Sequence, residues 1–256
     1  MEKSINIFRF KQFSVKNERS AMKVNTDGVL LGAAMTVRPD DRCLLDIGTG
    51  TGTIALMAAQ RMADVITSLR GAEATWQSVG IDAIDIDEPS ATEAATNFAE
   101  SPWTESLHAH NLSLNEFAAG FPEKKYDLIF SNPPYFEDSL TAPDERKSTA
   151  RHTSEGLSYR DIFEFAKERL TENGRVSFVL PADQEAALCR YGRMSGLHLF
   201  RILRVRTVPR KDPSRIIAEF SRVRTENPQD EMLTIQNEGK YTQEYLSLMR
   251  DFYLFA

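Results

Sequence analysis

The chain has 256 residues, a formal net charge of −6 and 41% hydrophobic residues. That is length enough for one large α/β domain with its own core, and a balance that excludes extended disorder and a globally basic coat for nucleic acid, so any nucleic-acid partner requires a local patch. No apolar run of about 18 residues occurs, which predicts no transmembrane helix, and the two cysteines, Cys43 and Cys189, lack metal-site spacing and read as structural thiols of a reducing compartment. Met1-Glu2-Lys3-Ser4-Ile5-Asn6 holds no apolar signal segment, so the expected location is cytoplasmic.

Residues 5–24 alternate loosely through Phe8, Phe10, Phe13, Val15, Met22 and Val24, and Asn17-Glu18-Arg19-Ser20 is the expected turn of a hairpin. Arg9, Lys11, Lys16, Arg19 and Lys23 are interleaved with the phenylalanines. Their bland reading is the solvated face of a small antiparallel cap, and their functional reading is a lid touching substrate. Thr26 or Asp27 is the expected N-cap of the next helix, which carries Val29, Leu30 and Ala33 on one face. A helix N-terminus ahead of the first core strand can contact a ligand, which makes Lys23, Thr26 and Asp27 candidate contacts.

Cys43-Leu44-Leu45-Asp46-Ile47 reads as a buried strand running into Gly48, Gly50 and Gly52, with a helix starting at Thr53. Glycines let a backbone turn tightly and approach a ligand at a helix start. No Gly-Lys-Ser/Thr follows, so this is not a P-loop, and the G-x-G-x-G spacing differs from the dinucleotide pattern. Residues 63–78 read as an insertion, with Arg70-Gly71-Ala72-Glu73 as a surface excursion before the strand Val79–Asp87. Asp85 and Asp87 share one strand face by period two and are the candidates for ribose hydroxyls; the bland reading is a solvated strand end. A helix is predicted from about Glu88 to Glu100, stopped by Ser101-Pro102-Trp103, and a strand at Leu107–Leu112. His108 and His110 alternate on that strand without further ligands at metal spacing, so they read as strand residues and no metal is expected.

Tyr126-Asp127-Leu128-Ile129-Phe130-Ser131 reads as another buried strand, cut by Asn132-Pro133-Pro134-Tyr135. Two prolines remove two N–H donors and fix φ twice, giving a stiff loop at a strand's carboxyl end, where open α/β sheets bind ligands. The Asn132 side-chain oxygen and the Pro133 carbonyl are acceptors for one amine, and Tyr135 offers a face for a planar group. The bland reading is a proline-rich turn. Residues 137–156 read as a polar loop with Arg146, Lys147 and Arg151. A helix is predicted at Tyr159–Leu170, a strand at Gly174–Leu180, a helix at 182–191 and a strand at His198–Val208. Between Arg201 and Arg224 eight basic residues face two acids, Asp212 and Glu219. This reads either as arginines on the wet face of edge strands or as a surface tracking phosphates, with Arg206, Arg210 and Lys211 as RNA contacts.

Phe8-Arg9-Phe10-Lys11-Gln12-Phe13, Met22–Gly32, Asp46–Gly52, Asn97–Trp103, Ser131–Tyr135, Ala150-Arg151-His152 and Tyr241–Leu254 together resemble the bacterial tRNA(Val) adenine-N6 methyltransferases. The resemblance covers nearly the whole chain. It implies a Rossmann-like class I methyltransferase spanning 1–256 as a single domain, a seven-stranded, mostly parallel sheet with helices on both faces, and a hairpin-like extension at about 5–24. It implies S-adenosyl-L-methionine at Asp46, Gly48, Gly50 and Gly52, with Asp85 at the place of the family's ribose acid and Asp87 as the alternative. An Asp that usually meets the adenine amine is replaced here by Asn111. Asn132, Pro133, Pro134 and Tyr135 match the NPPY catalytic motif, with Asn132 beside the cofactor as well. The implied reaction is N6-methylation of the adenine just 3′ of the anticodon, position 37, in a tRNA, by a monomer. The rivals are a glutamine-N5 methyltransferase acting on a release factor, whose relatives carry a long helical domain before the glycine motif, and an RNA-binding module without activity.

Overall fold

The computed structural model describes residues 6–70, 79–134 and 157–256. The chain opens with a short antiparallel pair, β1 (Ile7–Arg9) and β2 (Ser14–Lys16), in which Phe8 faces Val15. The turn between them is 10–13, closed by Phe10 N–H donating to Phe13 C=O at 2.9 Å. The turn expected at 17–20 is therefore displaced. Phe10 and Phe13 stack at 4.5 Å inside the core, so the aromatic pair dictates the reversal rather than the polar run.

Helix α1 (Thr26–Ala34) follows. Its N-cap is Asn25, whose side chain accepts from Gly28 N–H, so neither Thr26 nor Asp27 is the cap. Asparagine serves this role as well as aspartate and leaves Asp27 in the first turn, where a negative charge meets the helix dipole favourably. Then come β3 (Cys43–Ile47), α2 (Thr53–Arg70), β4 (Gly80–Asp85), α3 (Glu88–Ala99), β5 (Leu107–Asn111), α4 (Leu114–Gly120) and β6 (Tyr126–Ser131). Helix α2 runs through 63–70, the first part of the expected insertion, because Met62 and Ile66 continue its buried stripe; residues 71–78, with most of the expected surface excursion, lie outside the described residues. The second half holds α5 (Tyr159–Arg169), β7 (Leu170–Pro181), α6 (Glu185–Met194), β8 (His198–Arg206), β9 (Arg215–Ser221), β10 (Gln229–Thr234), the small pair β11 (Gln236–Asn237) and β12 (Lys240–Tyr241), and α7 (Gln243–Met249).

Among the described residues the main sheet has eight strands in the order β10-β8-β9-β7-β6-β3-β4-β5. All run parallel except β9, which pairs antiparallel with both neighbours. The expected seven strands are present, and β10 adds an eighth along the free edge of β8. Its polar sequence Gln229-Asp230-Glu231 suits an edge that must not recruit further strands. Central strands are apolar on both sides, as a parallel sheet covered on two faces requires. One face packs on α1, α2, α3, the N-terminal pair and α7; the other packs on α4, α5 and α6. Each fully buried Leu, Ile or Phe contributes about 1.5–3 kcal/mol of transfer free energy.

Buried charges brace the first face. Arg175 on β7 forks onto Asp41 at 2.8 and 2.6 Å and reaches Thr36 C=O. Glu219 on β9 accepts from Thr36 N–H, Thr36 Oγ1, Ser177 Oγ and Arg201. Both carboxylates and Arg175 are buried, and their partners satisfy the cost of burial.

Candidate active site

The chain leaves β3 for β4 on one side and returns to β6 on the other, so the carboxyl ends of β3 and β6 form the topological switch point of the sheet. Ser131 Oγ donates to Ile47 C=O at 2.6 Å and ties the two ends together. From β3 the chain enters the glycine loop, in which Gly48, Gly50 and Gly52 have φ of +74°, +56° and +79°. Gly48 N–H and Thr49 N–H both donate to Ile84 C=O, which folds the loop towards β4. At Gly52 a Cβ would sit 2.5 Å from a ring carbon of Phe98, so both the positive φ and the approach of α3 require glycine there. A cleft opens between this loop, the start of α1 and the end of β6. Asn25, Gly28, Gly48, Gly50, Thr51 and Asn132 line it, and Met22 and Lys23 form its outer wall.

Two carboxylates lie behind the loop. Asp46, at 0% exposure, takes a hydrogen bond from Thr49 Oγ1 at 2.7 Å, and its Oδ1 has no hydrogen-bond partner among the described residues. Burial pushes its carboxyl up to about 7, against the Thr49 hydroxyl and with help from the charge of Asp85. Asp85 ends β4, and its Oδ2 accepts from Gly50 N–H at 2.8 Å and its Oδ1 from Asp87 N–H at 2.9 Å. Its pKa is raised by burial, only partly offset by those two N–H groups. Asp87 lies past the strand and caps α3, accepting from Ser90 N–H and Ser90 Oγ. The shared strand face read from period two therefore ends at Asp85, because Asp87 has already turned into the helix start. Asn111, at the end of β5, donates through Nδ2 to the carbonyls of Asp85 and Ile86. With the nitrogen committed to two carbonyls, Oδ1 is the atom left to accept. Between them stands Ile86, 76% exposed. Sequence reading missed it, although an apolar residue between two acids at a strand end is its signal.

The other predicted contacts are placed as follows. Lys23 walls the cleft, and its Nζ donates to Glu18 C=O. Thr26 is exposed and Asp27 pairs with Arg215 at 2.7 Å; neither lines the cleft. Asn132 is 8% exposed and its Nδ2 lies 3.7 Å from Met22 Sδ, while Pro133 is buried and Pro134 exposed. Tyr135, Arg146, Lys147 and Arg151 lie outside the described residues. His110 Nε2 pairs with Asp82, which also holds Lys124 and the Tyr126 hydroxyl, and His108 is exposed.

The basic segment does not form one surface. Arg201 is bound by Glu219 and Glu231, and Arg204 by Glu185 and Asp230. Because β9 runs against the rest of the sheet, Arg222 and Arg224 follow its end at the rim opposite the cleft. Arg206, Arg210 and Lys211 stay on the cleft's rim, with Arg206 Nε on Thr234 Oγ1 and the other two exposed.

A family model described as an RMKL-like methyltransferase domain matches residues 31–195. A protein of Parabacteroides distasonis named tRNA1(Val) (adenine(37)-N6)-methyltransferase is 38% identical over 252 residues, covering 96% of this chain and 97% of that protein. One of the same name from Trichodesmium erythraeum is 36% identical, covering 97% and 98%. Among solved structures, a predicted O-methyltransferase from Agrobacterium tumefaciens superposes with a TM-score of 0.60 at 14% identity, covering 87% of this chain and 95% of that one. A T. thermophilus 16S rRNA N2 G1207 methyltransferase in complex with AdoMet and guanosine superposes with a TM-score of 0.54 at 17% identity, covering 86% and 52%. At these identities the structural likeness speaks for the class I methyltransferase fold alone.

Proposed function

We propose that this chain, which belongs to the family of the tRNA1(Val) (adenine(37)-N6)-methyltransferases, methylates N6 of the adenine at position 37 of tRNA(Val), with S-adenosyl-L-methionine as the methyl donor. The observation that carries the reading is the placement of Asn132 in one cleft with Gly48 and Gly50, at the switch point of the sheet. The donor set fits the cofactor. Asp85 is a carboxylate fixed by two N–H groups and suits ribose hydroxyls; Asp87 is spent on capping α3. Asn111 Oδ1 suits an adenine amine, and the exposed side chain of Ile86 suits the adenine's flat face. The bound cofactor supplies a sulfonium methyl, an electrophile needing no metal.

The chain's own task is to present the nucleophile. An adenine N6 lone pair is delocalised into the ring. Two acceptors, Asn132 Oδ1 and Pro133 C=O, hold both N6 hydrogens and favour a pyramidal nitrogen with its lone pair free. The Asn132 nitrogen lies toward Met22 Sδ, which is consistent with Oδ1 being the atom offered to the amine. Pro133 and Pro134 offer no N–H to compete for those acceptors. The proton leaves after methyl transfer, so no general base is assigned. The base must be splayed from the RNA to reach the cleft, with Tyr135 as its stacking partner. Arg206, Arg210, Lys211 and, closer in sequence to Tyr135, Arg146, Lys147 and Arg151 are the RNA contacts of this reading.

The test is tritiated methyl transfer to total tRNA and, in parallel, to a release factor, followed by nucleoside analysis. Label in N6-methyladenosine of tRNA(Val) supports the reading; label only in the protein replaces it with the glutamine reading. No helix among the described residues is long and apolar enough to cross a membrane, and we place the enzyme in the cytoplasm with its substrate and expect a monomer.

A further inference from the structure

Residues 18–24, which carry the outer wall of the cleft, belong to neither helix nor strand, yet they lie against the glycine loop. At their far end Asn17 Oδ1 accepts from Val24 N–H at 3.0 Å; the first three residues are held by one side chain of α3. Glu93, 3% exposed, accepts from three consecutive backbone N–H groups: Glu18 at 2.6 Å and Arg19 at 2.9 Å on Oε1, and Ser20 at 2.9 Å on Oε2. Successive N–H groups converging on an anion form the cradle that proteins use for phosphates; here the anion is the protein's own. Such a carboxylate is not needed to pack α3. An apolar residue at that buried position avoids the desolvation cost that a carboxylate incurs. The compensation goes wholly to ordering 18–20.

From there the order passes inward. Ser20 Oγ donates to Met22 C=O at 3.0 Å, and Ser90 Oγ, whose hydrogen goes to Asp87, lies 3.0 Å from Ser20 Oγ. Ser20 Oγ and Met22 C=O lie against Gly50, where a Cβ would sit 3.4 and 3.6 Å from them. Met22 Sδ in turn lies 3.7 Å from Asn132 Nδ2. Glu93 thus touches neither the cleft nor Asn132, but the residues it cradles lead directly into Met22, which touches both.

We infer that Glu93 is a positioning residue for methyl transfer: its carboxylate sets the wall at Met22–Asn25, and through it the glycine loop and the orientation of the Asn132 amide. This rests on the reading of the cleft as the cofactor and amine site. Glu93→Leu keeps the size and removes all three acceptors. Glu93→Gln keeps Oε1 for Glu18 and Arg19 and loses the acceptor for Ser20 N–H.

The test measures S-adenosyl-L-homocysteine affinity by calorimetry, methyl transfer to tRNA at saturating cofactor, and amide hydrogen exchange at 18–20. For Glu93→Leu the expected results are a Kd raised by about tenfold or more and a lower kcat, with tRNA affinity unchanged. For Glu93→Gln they are a Kd within about threefold of wild type, since two of three bonds survive, and faster exchange at Ser20 than at Glu18 or Arg19. A merely structural role would lower Tm and leave the Kd of the folded protein unmoved. Wild-type Kd and kcat in Glu93→Leu overturn the inference. Should that variant not fold, unchanged exchange at Ser20 in Glu93→Gln overturns it equally. Failure of the wild-type protein to bind the probe would instead remove the reading of the cleft itself.

Discussion

At the scale of the residue, the side chains proposed to hold the cofactor are distinct from those proposed to hold the amine. Asn132→Ala removes the side-chain acceptor and little of the cofactor's surroundings. Methyl transfer should fall to background while cofactor affinity by calorimetry stays near wild type; the reverse pattern would move Asn132 out of the catalytic role. Asp85→Ala should weaken cofactor binding by about 1–3 kcal/mol, the scale of a lost hydrogen bond to a charged group. Asp87→Ala should instead destabilise α3 by about 1 kcal/mol in urea denaturation, the cost of a lost N-cap. Asp46 makes a pH prediction. Burial raises its folded pKa to about 7 from an ordinary value of 3.8, so between those values the folded state holds a proton that the unfolded state has lost. Its contribution to stability is greatest at the acid end of that window, declines as pH rises through it, and levels off above about 7. The Tm of wild type minus that of Asp46→Asn should therefore fall between pH 5 and pH 7.5 in scanning calorimetry. A flat difference would mean that Asp46 keeps an ordinary pKa.

Among elements, α3 does more than its amphipathic pattern announces. Its cap residue Asp87 faces the strand end, Glu93 cradles 18–20, and Asn97 bonds Lys16 N–H, Lys16 C=O and Thr51 C=O. Asn97→Ala strips the pairing between β2, the glycine loop and the helix, and should cost about 2–3 kcal/mol, read in urea denaturation. A loss below 0.5 kcal/mol, estimated on the same scale, would mean water replaces the amide. The glycine loop, the strand before it and the proline stop after Ser131 were legible because each is a local rule of φ or periodicity. The hairpin turn was not, because the stacking of Phe10 on Phe13 is sealed by Trp103 and Tyr253, which lie far along the chain. Nor was the partner of 17–20, since a glutamate on a distant helix leaves no local signal. The helical stretch at 63–70 was hidden by polar residues on the wet side of a helix whose buried side is plain only once β3 is in place.

Across the whole molecule, the sheet decides which charges can meet RNA. Eight basic residues within 24 positions read as one patch, but arginines on a mixed sheet point to both faces and both rims. Arg201 and Arg204 are bound by four carboxylates, two of them on β10, the strand that sequence reading did not count. Arg206, Arg210 and Lys211 remain at the carboxyl ends of the strands, on the rim that carries Asn132. The order β6-β7-β9-β8 puts three strand spacings between them, roughly 15 Å at about 4.8 Å per strand. That distance lets an anticodon stem lie along the rim while one base enters the cleft. Neutralising Arg206, Arg210 and Lys211 together should therefore lower tRNA affinity and make log Kd less dependent on log salt by about two units of slope, since counterion release scales with phosphate contacts at roughly 0.7–0.9 per contact. Cofactor affinity should not change. Arg204→Ala should act oppositely: it leaves Glu185 and Asp230 unpaired, so Tm falls while the salt slope of the folded protein is kept. If the triple variant binds tRNA with an unchanged slope, these three side chains are a solvated face, and the RNA docks through the N-terminal cations Arg9–Lys23 and the loop bearing Arg146 and Arg151.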